Sequence, residues 1–206
     1  MNYFLFASSV MFFLWVGYKI KKSKLAEDAQ QKSFWDLEAE ANRTRRKSLD
    51  DLDYIKIPFD ELPIHTLLED EQVAEYLETL KVLSENPIVN LSCISNTDLK
   101  LRHGAPNITI LSRYDSAYTI LARTLQQWAM KLIKAGFIEE ARSVLEFAIR
   151  TKTDVSGTYL ALAKIYMDMG TPEKIEELIF VAESLDSSFN KGIIRRLREI
   201  TDSVPS

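Results

Sequence analysis

The 206-residue chain has almost none of the residues that chemistry most often needs. It holds one cysteine, Cys93, so it can form no internal disulfide. It has two histidines, His65 and His103, far apart in sequence, which leaves no zinc-ligand spacing. No G-x-S-x-G, P-loop, H-E-x-x-H or C-x-x-C segment is present, so no nucleophile, phosphate cradle or metal helix announces itself. The reading is of a protein that is not an enzyme and has no cofactor or metal. His103, beside Gly104, comes nearest to a site residue, and it reads as an ordinary loop histidine. An excess of positive charge is also missing. The formal net charge is −4, which argues against nucleic acid as a partner.

Apolar residues are plentiful at 46%, enough for a folded core. The first group is Tyr3 to Tyr18, an uncharged run broken only by Ser8, Ser9 and Gly17. With Lys19 and Ile20 it makes about 27 Å of helix at ~1.5 Å per residue. Nothing basic but the α-amino group precedes it, and Lys19, Lys21, Lys22 and Lys24 follow, which is unsuited to signal-peptide cleavage. The expectation is a transmembrane anchor over 1–22, entering the membrane through residues 3–20. The lysines on its C-terminal flank predict a single-pass membrane protein with the N-terminus outside and the C-terminal domain cytoplasmic.

Residues 23–49 hold good helix formers and no Gly or Pro, so a helical stalk is expected. Phe34, Trp35 and Leu37 are its large apolar group, fit to touch lipid headgroups, a partner helix or the chain's own downstream domain. Arg43, Arg45, Arg46 and Lys47 make a basic cluster, read as a solvated face or as paired with the acidic stretch that follows. Residues 50–114 open with an acidic extended segment broken by Pro58 and Pro63. The spacing of Leu67, Leu68, Val73, Tyr76, Leu77, Leu80 and Leu83 predicts a helix over 66–84. Between Asn86 and Tyr114, Val89, Leu91 and Cys93 alternate as in a strand. The preferred alternative is a long connection with one helical turn at Asp98–His103, stopped by Gly104.

The C-terminal part repeats itself. Ala129, Gly136 and Ala148 recur as Ala163, Gly170 and Ala182, an offset of 34 residues. Helices are expected at about 115–135, 137–151, 155–169 and 172–185, turning at Gly136 and Gly170, with Thr171 as a cap and Pro172 in the first turn. A last helix, about 189–202, carries Ile193, Ile194, Leu197 and Ile200 opposite Lys191, Arg195, Arg196 and Arg198, as a polar-faced cap of a repeat stack does.

The period and the placing of small residues resemble the tetratricopeptide repeat family. The family positions fall on Leu125, Trp128, Ala129, Leu132, Ala141, Leu145 and Thr153, then on Tyr159, Leu162, Ala163, Tyr166, Ile175, Ile179 and Ser187. Ile175 is large where the family prefers Ala, and the closing Pro is absent from both repeats. The resemblance implies an all-α chain with two repeats, 122–155 and 156–189, inside a 115–202 domain on which residues 50–114 pack. It implies a protein or peptide partner held in a groove lined by Arg123, Gln126, Met130 and Lys134, then Leu160, Lys164, Met167 and Asp168. The same residues read equally as solvent-facing, or as a groove filled by the chain's own acidic 48–62 segment. The stalk and middle segments are also similar to membrane-anchored proteins of clostridial-type bacteria, a resemblance that supplies no activity. The functional expectation is a membrane-anchored scaffold or adaptor for a cytoplasmic protein. The alternative is a structural subunit of a membrane complex assembled through anchor and stalk.

Overall fold

A computed structural model describes residues 3–202, the side chains of 3–10, 13, 14, 17 and 24–30 excepted. The described chain is all-helical. Its α-helices are α1 (Tyr3–Arg43), α2 (Glu71–Ser84), α3 (Asn96–His103), α4 (Ile108–Lys134), α5 (Ile138–Arg150), α6 (Ser156–Asp168), α7 (Glu173–Glu183) and α8 (Asn190–Asp202), with a 3-10 turn at Ala105–Asn107. The strand-like alternation after Asn86 yields only an isolated antiparallel bridge between Tyr54 and Val89. The chain divides into two compact units. One is Met1–Ser48 with Ser95–Ile108, the other Leu49–Ile94 with Thr109–Ser206. The long connection 86–114 is therefore shared between the units rather than given whole to the repeats.

In the first unit, the last turns of α1 meet α3. Ala41 and Leu99 are buried. Glu38 joins the two helices, accepting hydrogen bonds from Lys100 Nζ and from Thr97 Oγ1 at 2.6 Å. Ser95 caps α3 by accepting from the Asp98 N–H at 3.1 Å. Gly104 ends it at φ +93°, a conformation open to glycine. A Cβ on Gly104 would collide with the Arg45 carbonyl and sit 2.8 Å from the Arg46 Cα. Absence of a side chain thus lets the 44–47 segment lie against the end of α3.

The expected anchor is corrected here. Among the described residues no helix is long and apolar enough to cross a membrane. That finding overturns the single-pass membrane placement, with its outside N-terminus and cytoplasmic domain. The uncharged run Tyr3–Tyr18 has sixteen residues, about 24 Å of helix at ~1.5 Å per residue, short of the ~20 residues a bilayer core requires. The same helix continues through Lys19, Lys21, Lys22 and Lys24 to Arg43. Residues 1 and 2 of the expected 1–22 span, and much of its apolar side-chain set, lie outside the described residues. Farther along α1, Phe34 and Trp35 meet edge to face at 5.5 Å, and both remain more than half exposed.

The second unit holds the apolar core. Val73, Leu77, Leu80 and Leu83 of α2 join Leu121, Leu125, Trp128 and Leu132 of α4, and the cluster runs on through Leu145, Tyr159, Leu162 and Ile175 to Ile193 and Leu197. Asp70 starts α2, accepting from the Gln72 and Val73 N–H groups at 3.0 and 3.2 Å, and its second oxygen accepts from Lys131 Nζ of α4 at 2.8 Å. The expected 66–84 helix thus begins later, at Glu71, because residues 64–69 form turns ahead of that cap.

The 34-residue offset is written in hydrogen bonds. At the end of α4 the Phe137 N–H donates to Leu132 O at 2.9 Å and Gly136 N–H to Ile133 O at 3.1 Å; at the end of α6, Thr171 N–H donates to Tyr166 O at 2.9 Å and Gly170 N–H to Met167 O at 3.0 Å. Both are the Schellman closure, with Gly136 and Gly170 at φ +88° and +72°. The offset recurs before α6 and α8. Thr153 Oγ1 accepts from the Val155 N–H at 3.3 Å, and Ser187 Oγ accepts from the Phe189 N–H at 3.2 Å. A hydroxyl at these two positions bends the chain where the resembled pattern has proline. One detail departs from expectation. Thr171 does not cap α7; its hydroxyl donates back to Tyr166 O at 3.2 Å, and Pro172 precedes the helix without a side-chain cap.

Candidate functional site

The second unit carries the candidate surface, on the helices that open each period. A residue two positions from a core-facing one lies about 200° round the helix, so Arg123, Gln126 and Met130, two from Leu125 or Trp128, and Leu160 and Lys164, two from Leu162, turn away from the core. Arg123, Met130, Lys134, Lys164 and Asp168 are exposed, and Gln126, Leu160 and Met167 are half-buried. Gln126 Nε2 reaches α6 beside Gly157, where a Cβ would stand 3.1 Å from it.

The eight expected residues do not form one cavity. Leu160, Lys164 and Met167 line an open hollow of about 670 Å³ together with Arg196, Glu199 and Ile200. Arg123, Gln126, Met130, Lys134 and Asp168 do not line it. The partners contributed by α8 went unassigned in the sequence because that helix reads as a cap with a solvated basic face. Arg196, expected opposite Ile200, lies on its side instead, because the spacing of Arg196, Glu199 and Ile200 is one helical turn. Leu160, Met167 and Ile200 give the hollow an apolar floor. Lys164 and Arg196 have no ion-pair partner among the described residues, whereas Glu199 lies 3.7 Å from Arg195. The hollow therefore sets apolar side chains beside two cations and one carboxylate.

The acidic segment does not fill this hollow. Glu61 meets Arg150 at 2.7 Å and Asp53 meets Lys152 at 3.5 Å, both at the C-terminal end of α5. Two things draw it there. Arg150 and Lys152 offer the positive charge, and Ile55, Ile57 and Phe59 pack against the apolar core. The Ile55 N–H also donates to Ile88 O at 2.9 Å.

Other reactive groups are accounted for within the fold. Burial pushes the Tyr118 phenol up to about 12, and its hydroxyl donates to Thr151 O at 3.3 Å. Burial likewise raises Tyr159, which donates to Thr153 O at 2.9 Å, and Tyr166, which donates to Glu146 Oε1 at 3.0 Å. Cys93 is exposed, yet partial burial of its sulfur, with Asp154, Asp186 and Asp115 nearby, holds the thiol above its usual range. A thiol so placed is a weak nucleophile at neutral pH. His103 closes α3, and burial, then Arg102 and Lys47, lower its pKa. Among the described residues no group of three or more His, Cys, Asp or Glu is arranged to hold a metal ion.

The fold and this surface define an all-helical protein with a repeated hairpin register. Comparison of the chain with protein families, curated proteins and solved structures finds no match.

Proposed function

We propose that the second unit is a tetratricopeptide-like scaffold that binds a protein or peptide partner on the outward face of α4, α6 and α8 and performs no catalysis. The observation that carries this reading is the hollow in which Leu160, Lys164 and Met167, three residues expected to face a ligand, stand with Arg196 and Ile200. A volume of about 670 Å³ lies in the ~300–1,000 Å³ range of binding sites. The test is co-purification with full-length protein against a Leu160→Glu, Met167→Arg variant. Both positions are only half-buried, so the variant is expected to fold. Partners lost from the folded variant support the scaffold; an unchanged partner set removes it.

A second reading rests on α1. Phe34, Trp35 and Leu37 are exposed on one stretch of helix, as suits a structural subunit assembled through that helix. Replacing all three by Ala separates the readings. Loss of the complex with the hollow intact favours assembly through α1.

A further inference from the structure

The first unit gathers a second feature, independent of the hollow. Four of the five residues 43–47 are cationic: Arg43, Arg45, Arg46 and Lys47. The fold adds the end of α3, which carries Arg102 and His103. The junction is built. The Lys47 N–H donates to His103 O at 3.1 Å and the Ala105 N–H to Thr44 O at 3.1 Å. Asn107, 1% exposed, accepts from Arg46 Nε at 2.9 Å and donates from Nδ2 to Lys47 O and to His103 O, each at 2.8 Å. Gly104 permits the close approach. No ion pair within the unit joins a described carboxylate to Arg43, Arg45, Arg46, Lys47 or Arg102; Glu38 is engaged by Lys100. Like charges held together on a fixed frame repel unless an anion sits among them. Exposure alone does not require this frame, because a solvated basic face needs no buried asparagine to hold it.

We infer that the 43–47 segment and the end of α3 form a binding site for a compact anion bearing several phosphates, free or as a lipid headgroup. Guanidinium groups match phosphate oxygens in pairs, and Arg46 is already oriented through its Nε. Nucleic acid fits less well. Residues 43–48 and 95–107 contain no Phe, Tyr or Trp on which a base could stack. Burial first, and then Arg102 and Lys47, depress His103, and its titration supplies a local readout.

The experiment uses the full chain. Inositol hexakisphosphate is titrated by calorimetry, and phosphatidylcholine vesicles with and without phosphatidylinositol 4,5-bisphosphate are tested by sedimentation. An Arg45→Glu, Arg102→Glu variant is compared with a Lys164→Glu, Arg196→Glu variant. Neither side chain of the first variant makes a hydrogen bond that holds the junction, and circular dichroism checks its fold. Binding is expected in at least one arm, weakened tenfold or more by the first variant and unchanged by the second. Binding of the soluble probe points to a free ligand; binding only to the charged vesicles points to a headgroup. Bound inositol hexakisphosphate should also raise the His103 pKa, followed by NMR. Binding in neither arm, equal weakening by both variants, or tighter binding of single-stranded RNA than of inositol hexakisphosphate overturns the inference.

Discussion

Each of the two units is stabilised internally in a different way. The second buries a long apolar cluster in which Trp128, Leu132, Leu145 and Tyr159 have no exposed surface. Among its described residues the first buries few apolar side chains, Ala41 and Leu99 among them, and relies on Asn107, on the Glu38 link and on the close approach at Gly104. Apolar packing is forgiving in direction and large in sum; hydrogen-bonded junctions are smaller in energy and strict in geometry. The second unit should therefore yield to lost volume, and the first to a lost donor or acceptor.

The largest effect is expected from Trp128→Ala, about 3–5 kcal/mol of stability lost by denaturant titration. Trp128→Phe should cost much less, because the buried indole N–H has no hydrogen-bond partner among the described residues to lose. Equal losses from the two substitutions would show that the ring volume is not what matters. Alkali comes next. A phenol raised to about 12 in the fold against 10.0 outside it favours the folded state fully below pH 10. That contribution fades as pH rises toward 12, by roughly 2–3 kcal/mol in all. Tyrosinate absorbance should rise together with loss of helix, and Tyr118→Phe should blunt the transition. Ionisation of the buried tyrosines before any unfolding would contradict the burial of that face.

In the first unit, Asn107→Leu should cost about 1–3 kcal/mol, confined to its own junction. Amide exchange should speed at Lys47 and Ala105 and stay unchanged at Phe137 and Thr171. A uniform change would mean that the units do not differ as described. Acid gives a gentler probe. The hydrogen bond from Lys100, then that from Thr97, holds the Glu38 carboxyl below 4.5. Its contribution is present above that value and is lost as pH falls through the lower folded one. Exchange protection in α3 should fade on acidification in the native protein and not in Glu38→Gln. The smallest effect is expected from Lys164→Glu, within about 0.5 kcal/mol, because the side chain is exposed and unpaired among the described residues.

The second unit was the more legible in sequence, for a physical reason. Helical periodicity and positive-φ glycines are local signals, and the hairpin helices fall within a few residues of where Gly136, Gly170 and the apolar spacing put them. The start of α4 was not legible. Ile108 and Ile110 alternate as in a strand, and only Pro106 in the preceding 3-10 turn marks a helix beginning. The role of Asn107 was invisible, since it joins residues about sixty positions apart. The same holds for the pairing of Glu61 with Arg150, which depends on where α5 ends in space. Within the candidate surface, α6 was readable from its resemblance to a repeat helix. The contribution of α8 was not, because a basic helix face looks the same whether it meets water or a ligand.

Cys93 has a practical consequence. It is the sole thiol in the chain and it is exposed, so a maleimide dye or spin label attaches at one defined point with no cysteine first removed. Its raised pKa makes the coupling slow at neutral pH and faster in mild alkali. The reporter then sits beside Asp154, whose carboxylate accepts the Ser187 hydroxyl at 2.9 Å. Signal from that probe would report on the joint between successive hairpins in the native sequence, where Ser187 meets Asp154.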